Sequence, residues 1–179
     1  MPKYVAFLRA INVGGHTVKM DHLRSLFEAL KFSNVETFIA SGNVIFDAKT
    51  ANTQSLESKI EKHLKQQLGY EVITFIRSIE ELKAIADYKA FNDKDLSNEN
   101  NTLYVGFLAT TPTKEVNDKM VALESAIDVF HLHDREIYWL YRREAGESKY
   151  YGALLEKTLG MKSTLRNVNT IQRLAKKYC

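Results

Sequence analysis

Apolar residues recur along the chain in two rhythms, and the switches between them predict the elements. KYVAFLR (3–9) is rich in β-formers and reads as a strand. Met20, Leu23, Leu26, Phe27 and Leu30 then fall at helical spacing. VETFIA (35–40) and NVIFDA (43–48) flank Ser41-Gly42, a tight hairpin signal because glycine tolerates the positive φ of two-residue turns. Leu56, Ile60, Leu64 and Leu68 mark a second helix whose wet side carries Glu57, Lys59, Lys62 and Lys65, and Gly69 suits its C-terminal stop. EVITFI (71–76) is the next strand, and a short helix starts at Ser78, where Ser78 and Glu81 form a capping-box pattern.

The order then repeats. LYVGFLA (103–109) is a strand, and Thr111-Pro112 suits an N-cap followed by proline in the first helical turn. Val116, Met120 and Leu123 supply the stripe of that helix. DVFHLH (128–133) and EIYWLY (136–141) pair around Asp134-Arg135, YYGALLEKTLG (150–160) is a helix, MKSTL (161–165) a short strand, and a last helix closes the series. Segment-level matches support a duplication of roughly 90 residues. YVAFL (4–8) recurs as YVGFL (104–108), L-G closes a helix-like segment at Leu68-Gly69 and Leu159-Gly160, and IRSIEELKAIA (76–86) aligns with LRNVNTIQRLA (165–175).

A β-α-β-β-α-β order implies an antiparallel sheet with two helices on one face, the ferredoxin-like arrangement. The expected class is therefore α+β, with tandem ferredoxin-like halves at 1–88 and 102–179 and a polar linker at 89–101. Both alternating faces of YVAFL and YVGFL are apolar, so both faces of each central strand are expected to be covered.

Composition narrows the class without naming an activity. Hydrophobic residues make up 45% and charged residues 26%, as in ordinary globular proteins. No apolar run approaches the roughly 20 residues of a membrane span, and the opening MPK with its short apolar run, broken by Arg9, lacks the design of a secretory signal. One cysteine, Cys179, leaves no disulfide framework or thiolate zinc site, and the expected compartment is the cytoplasm. The net charge of +3 is unevenly placed. Residues 1–20 and 157–179 contain no acidic side chain but hold Lys3, Arg9, Lys19, Lys157, Lys162, Arg166, Arg173, Lys176 and Lys177.

LRAINVGGHTVKM (8–20) joins a strand to a helix through Gly14-Gly15. It matches neither G-x-x-x-x-G-K-[ST] nor G-x-G-x-x-G, so what remains is a glycine pair whose amides can face an anion near a helix N-terminus, or a plain bend. Ser41-Gly42-Asn43 lacks the G-x-S-x-G of a nucleophile elbow and reads first as a turn. On the last helix, Leu165, Val168, Ile171 and Leu174 are expected inward, with Arg166, Asn169, Thr170, Arg173 and Lys177 on the outer face, a stripe suited to phosphates. By analogy with Ser78, Asn167 is expected to be the N-cap. His131 and His133 share a strand face but no third histidine or cysteine joins them, so no metal is assigned. Alternation separates Tyr138 from Trp139 and Tyr141, so at least one set is core. Neither NVIFDA nor EIYWLY carries the aromatic motif of RNA-recognition sheets. No nucleophile–base pair or catalytic carboxylate pair stands out along the chain.

LRAINVGG, TFIASGNVIF and RNVNT resemble, in order, the signature segments LRGINVGG, TYxQSGNVVF and RNWNT of the bacterial domain of unknown function 1697 family. Ala10, Phe38, Ala40 and Val168 stand where that family usually has Gly, Tyr, Gln and Trp. The resemblance spans essentially the whole chain and implies a tandem ferredoxin-like fold in a bacterial cytoplasmic protein, with no established activity or cofactor.

These readings combine into one expectation. An anionic ligand, either nucleic acid or a phosphorylated small molecule, would sit between the glycine loop and the final helix. Arg9, Lys19, Arg166 and Arg173 would neutralise its charge. Gly14 and Gly15 would allow close backbone approach, and Asn12, Ser41, Asn43, Asn169 and Thr170 would orient it. A small-molecule enzyme built on the same cluster and an assembly protein are the alternatives, with oligomeric state left open.

Overall fold

The structure is a computed structural model that describes residues 1–12, 14–151 and 153–179. Val13, in the glycine loop, and Gly152, within the helix expected over 150–160, lie outside the described residues. The fold is mixed α+β with two four-stranded antiparallel sheets. The chain forms two compact units, Met1–Ile85 together with Leu174–Cys179, and Ala86–Arg173.

Unit 1 runs β1 (Lys3–Leu8), α1 (Met20–Glu28), β2 (Ser33–Thr37), β3 (Asn43–Asp47), α2 (Thr53–Leu68), β4 (Thr74–Ser78) and α3 (Ile79–Asp87), the last residues of α3 passing into unit 2. Its sheet order is β2-β3-β1-β4. One face of β1, with Tyr4, Ala6 and Leu8, is buried in a core that includes Leu23 and Phe27 of α1 and Leu56, Ile60 and Leu64 of α2. Val5 and Phe7 on the opposite face are also fully buried, as the doubly apolar strand demands. Local signals behave as their chemistry predicts. Asn52 Oδ1 accepts the Ser55 amide at the start of α2, and Gly69, at φ +84°, closes it. The capping box forms in both directions, Glu81 Oε2 accepting the Ser78 amide at 2.8 Å and Ser78 Oγ the Glu81 amide at 3.1 Å.

Unit 2 contains α4 (Asp93–Ser97), β5 (Asn101–Leu108), α5 (Lys114–Val121), β6 (Asp128–His133), β7 (Glu136–Arg142), a 3₁₀ turn at Arg143–Ala145, α6 (Ala153–Leu159), β8 (Ser163–Asn167) and the start of α7 (Val168–Tyr178). Its strand order, β6-β7-β5-β8, repeats that of unit 1. The core gathers Trp139, Phe130, Tyr141, Tyr150, Leu108, Met120 and Leu155. Trp139 donates its indole N–H to Asp128 Oδ1 at 2.8 Å, both residues being buried. Tyr138 on the other face of β7 is buried too, so both aromatic sets are core. The one change between YVAFL and YVGFL has a packing reason: a Cβ on Gly106 would lie 2.6 Å from Ile137 Cγ2.

Several boundaries differ from the sequence reading. β2 ends at Thr37 rather than 40, because the loop adopts its own geometry from Phe38 onward. α5 is capped by Thr113, whose Oγ1 accepts the Val116 amide, not by Thr111. α6 starts at Ala153 rather than 150. The stretch expected as a linker contains α4. β4 and β8 run later than expected, ending at Ser78 and Asn167, because each keeps pairing with its central strand through Tyr4↔Ser78 and Tyr104↔Asn167.

Candidate functional site

The glycine loop and the β2–β3 connection meet at one end of the unit 1 sheet. Leu8 donates its amide to the Gly42 carbonyl at 2.8 Å, and Arg9 donates its amide to Ile73 at 2.9 Å. Asn12 then uses both ends of its carboxamide. Nδ2 donates to the Ala40 carbonyl at 2.9 Å, and Oδ1 accepts the Val18 amide at 2.7 Å, so one side chain ties both edges of the loop to the neighbouring hairpin. Gly14 and Gly15 have φ of +64° and +83°, and a Cβ on either would meet nothing within 4 Å. His16 stacks on Tyr70 with ring centroids 3.8 Å apart, and Tyr70 donates its hydroxyl to the Ile11 carbonyl at 3.1 Å. Burial raises the Tyr70 pKa, keeping that donor protonated. Lys19 is exposed and occupies the N-cap of α1 without a side-chain hydrogen bond to the first turn, where Asp21 is the acidic residue.

The β2–β3 connection is wider than the two-residue turn expected at Ser41-Gly42. Phe38 donates its amide to the Asn43 carbonyl, and the Asn43 side chain donates to the Phe38 carbonyl and to Ser41 Oγ, both at 2.9 Å. Asn43 is fully buried, so its carboxamide holds the connection and is not presented to a ligand. Backbone strain gathers here. Ala10 has φ +56° and Ile39 has φ +53°, and Ile39 is β-branched and 40% exposed. The left-handed conformation at Ala10 accounts for glycine as the residue expected at that position. Non-glycine residues in this region cost of order 1–3 kcal/mol each, and such strain clusters at functional sites.

The remaining expected site residues, Arg166, Asn169, Thr170 and Arg173, lie in unit 2. Arg166 is not on an exposed helical stripe. It sits in β8 opposite Val105 and is 7% exposed, and its Nη1 donates to Thr164 Oγ1 at 2.8 Å and the Leu165 carbonyl at 2.9 Å. Burial pushes its pKa down to about 10. The helical stripe was misplaced because β8 continues through Asn167, and strand alternation turns Thr164 and Arg166 inward together. Asn167 does cap α7, its Oδ1 accepting the Asn169 amide at 2.9 Å. Asn169 and Arg173 are exposed and Thr170 half-buried.

Sequence reasoning missed a cavity of about 500 Å³ in unit 2, bounded by α4, the start of β5, the 3₁₀ turn and the start of α7. Asn98, Asn101, Asn167, Asn169 and Gln172 all line it. The available signal was the run of asparagines in SNENN (97–101) and the 169/172 spacing on a helix. His131 and His133 take part in an aromatic cluster. Tyr88 lies 2.6 Å from His131 Nε2 through its hydroxyl and stacks on His133 at 3.9 Å. Among the described residues, no group of three or more His, Cys, Asp or Glu side chains is arranged to hold a metal, and no helix is long and apolar enough to cross a membrane.

The chain is similar over its full length to a solved structure described as conserved bacterial protein SP0830 from Streptococcus pneumoniae, with a TM-score of 0.77 and 22% identity, covering 98% of this chain and 97% of that one. At that identity the likeness speaks to the fold alone. Among curated proteins none matches. The profile of the family described as Protein of unknown function (DUF1697) matches residues 1–138, so the chain belongs to that family.

Proposed function

We propose that this is a bacterial cytoplasmic binding protein that takes an anionic ligand, nucleic acid or a phosphorylated small molecule, at the Gly14-Gly15 loop of unit 1. The observation that carries the reading is the open space over two successive glycines in the loop that leads into α1, whose N-cap is the exposed Lys19. Anions are stabilised where helix amides and basic side chains converge. In this reading Arg9 and Lys19 supply charge, Gly14 and Gly15 supply close backbone approach, and Ser41 borders the site. Asn12 and Asn43 hold the two loops in place. Arg173, with Asn169 and Thr170, offers a second polar surface in unit 2, and Arg166 serves its own strand.

The reading keeps two ferredoxin-like halves, 1–88 and 102–179, joined by 89–101 and related by duplication. The matched strand orders favour it, as do two buried arginines at matched register, Arg77 opposite Val5 and Arg166 opposite Val105.

The test is a thermal-shift and fluorescence-anisotropy screen of nucleotides, sugar phosphates and oligonucleotides against the full chain and its R9Q and K19Q variants. A ligand that prefers the native state raises its apparent stability. Binding is expected to weaken roughly fivefold or more in each variant, the loss of about one charge-assisted contact. For duplex DNA the log–log salt slope should fall by about 0.9 for each phosphate contact removed. Absence of binding at low salt, or binding unchanged in both variants, overturns the reading.

A further inference from the structure

We propose that the unit 2 cavity is a second binding site, built for an uncharged nucleoside. The inference is independent of the anion site at the unit 1 glycine loop, although Asn169 also belongs to the second polar surface of that reading. The cavity, about 500 Å³, falls within the roughly 300–1,000 Å³ of small-molecule sites.

Its polar groups have defined polarity. Asn98 Oδ1 accepts the Asn100 amide at 2.9 Å, which leaves its NH2 as a donor. Asn101 Nδ2 donates to the Asp95 carbonyl at 3.0 Å, which leaves Oδ1 as an acceptor. Asn167 Oδ1 accepts the Asn169 amide at 2.9 Å, leaving another donor. Asn169 and Gln172 stand on one face of α7, three residues apart, and carboxamides in such positions offer a donor and an acceptor together. A matching ligand must both donate and accept along one edge.

The wall carries charge of both signs. The Arg143 guanidinium donates to the carbonyls of Glu99 at 2.6 Å and Asn100 at 3.1 Å, and Asp95 pairs with Arg142 at 3.4 Å. The Glu99 carboxylate stands against the positive Arg143 in the same lining, so the wall offers a phosphate no net positive charge. Leu96, Leu103, Leu140 and Val168 provide aliphatic surface beside the amides. A flat apolar face with a donor–acceptor edge describes a nucleobase, and Asn or Gln pairing in bidentate fashion with adenine is the general form of that contact.

The experiment is isothermal titration of the full chain with adenosine, guanosine, cytidine and uridine, with the matching 5′-monophosphates, and with glucose and trehalose. At least one nucleoside should bind, its monophosphate no more tightly, and the sugars not at all. N169L and Q172L alter exposed positions; with unchanged circular dichroism, each should weaken the nucleoside about fivefold, the worth of roughly one hydrogen bond. K19Q should leave this affinity unchanged while weakening the unit 1 anion, so the two readings fail separately. No nucleoside binding, tighter binding of a sugar or monophosphate, or unaltered affinity in N169L and Q172L overturns the proposal.

Discussion

Replacing Gly42 by alanine tests whether the loop end of unit 1 is fixed by packing or merely by backbone conformation. Gly42 has φ +81°, where an L side chain costs roughly 1–2 kcal/mol. The added Cβ would also lie 2.7 Å from Ile11 Cγ2 and 3.1 Å from Leu8 Cβ, in a site where Ile11 and Leu8 are 2% and 0% exposed. Overpacking of this kind costs about 1–3 kcal/mol, giving about 2–5 kcal/mol for G42A. Gly15 is the control, since φ is +83° but a Cβ meets nothing within 4 Å, so G15A should cost only the conformational part, about 1–2 kcal/mol. Removing Cγ2 with I11A should lower the cost of G42A by about 1–3 kcal/mol, read as the coupling in a double-mutant cycle. Urea unfolding followed by far-UV circular dichroism reports both units, whereas the one tryptophan, Trp139, reports unit 2. The transition lost first in G42A should be one that Trp139 fluorescence does not follow. Equal costs for G42A and G15A, or a G42A cost unchanged in the I11A background, would refute the packing argument.

Two further outcomes follow from polar pairs in unit 2. D128L strands the Trp139 indole N–H in the core and should cost roughly 1–3 kcal/mol beyond any packing change, while D128N, which keeps an acceptor, should retain most of the stability; equal losses in urea melts would contradict this. Burial first, and then the neighbouring His133, lower the His131 pKa from 6.5, with Glu124 opposing. A depressed pKa means the unfolded chain takes up the proton first. The stability contributed by neutral His131 is therefore complete above about pH 6.5 and is lost as pH falls from there through the depressed value. Neutral His131 can accept a hydrogen bond from the Tyr88 hydroxyl at Nε2, so H131N should flatten the stability profile of unit 2 as pH falls below about 6.5; an unchanged profile would count against the assignment.

Strand and helix order was legible because apolar periodicity reflects burial, and both central strands are buried on both faces. The errors lie where a tertiary partner decides. Ser78 and Arg166 read as helical, yet pairing with β1 and β5 carries β4 through Ser78 and β8 through Asn167 and buries Arg77 and Arg166. Ile39 looked like a strand residue because it is apolar and β-branched, but the Asn43 carboxamide holds a wider connection and leaves Ile39 exposed with positive φ. α4 is too short to show a period. Of the candidate site, the sequence reading grouped Asn12 with Ser41 and Asn43, and Asn12 does bond into that connection at Ala40. The carboxamide cavity was not, since its residues are scattered from Asp95 to Gln172 and only folding brings them together.

The assignment of Leu174–Cys179 to unit 1 has a kinetic consequence. Unit 1 is discontinuous, with the whole of unit 2 inserted before its last segment. Lys177 and Tyr178 both donate to Glu36 Oε2 on β2, at 3.0 and 2.8 Å, and Tyr178 meets Phe38 edge-on. During synthesis those contacts wait until residues 174–179 have left the ribosome, long after β1 to β4 have been made. Loop closure over the intervening chain carries only a logarithmic entropy cost, so an already folded unit 2 can act as a compact spacer rather than a long floppy loop. A released chain that ends at Arg173 should hold unit 2 in its native form and unit 1 with β2 still awaiting its last partner.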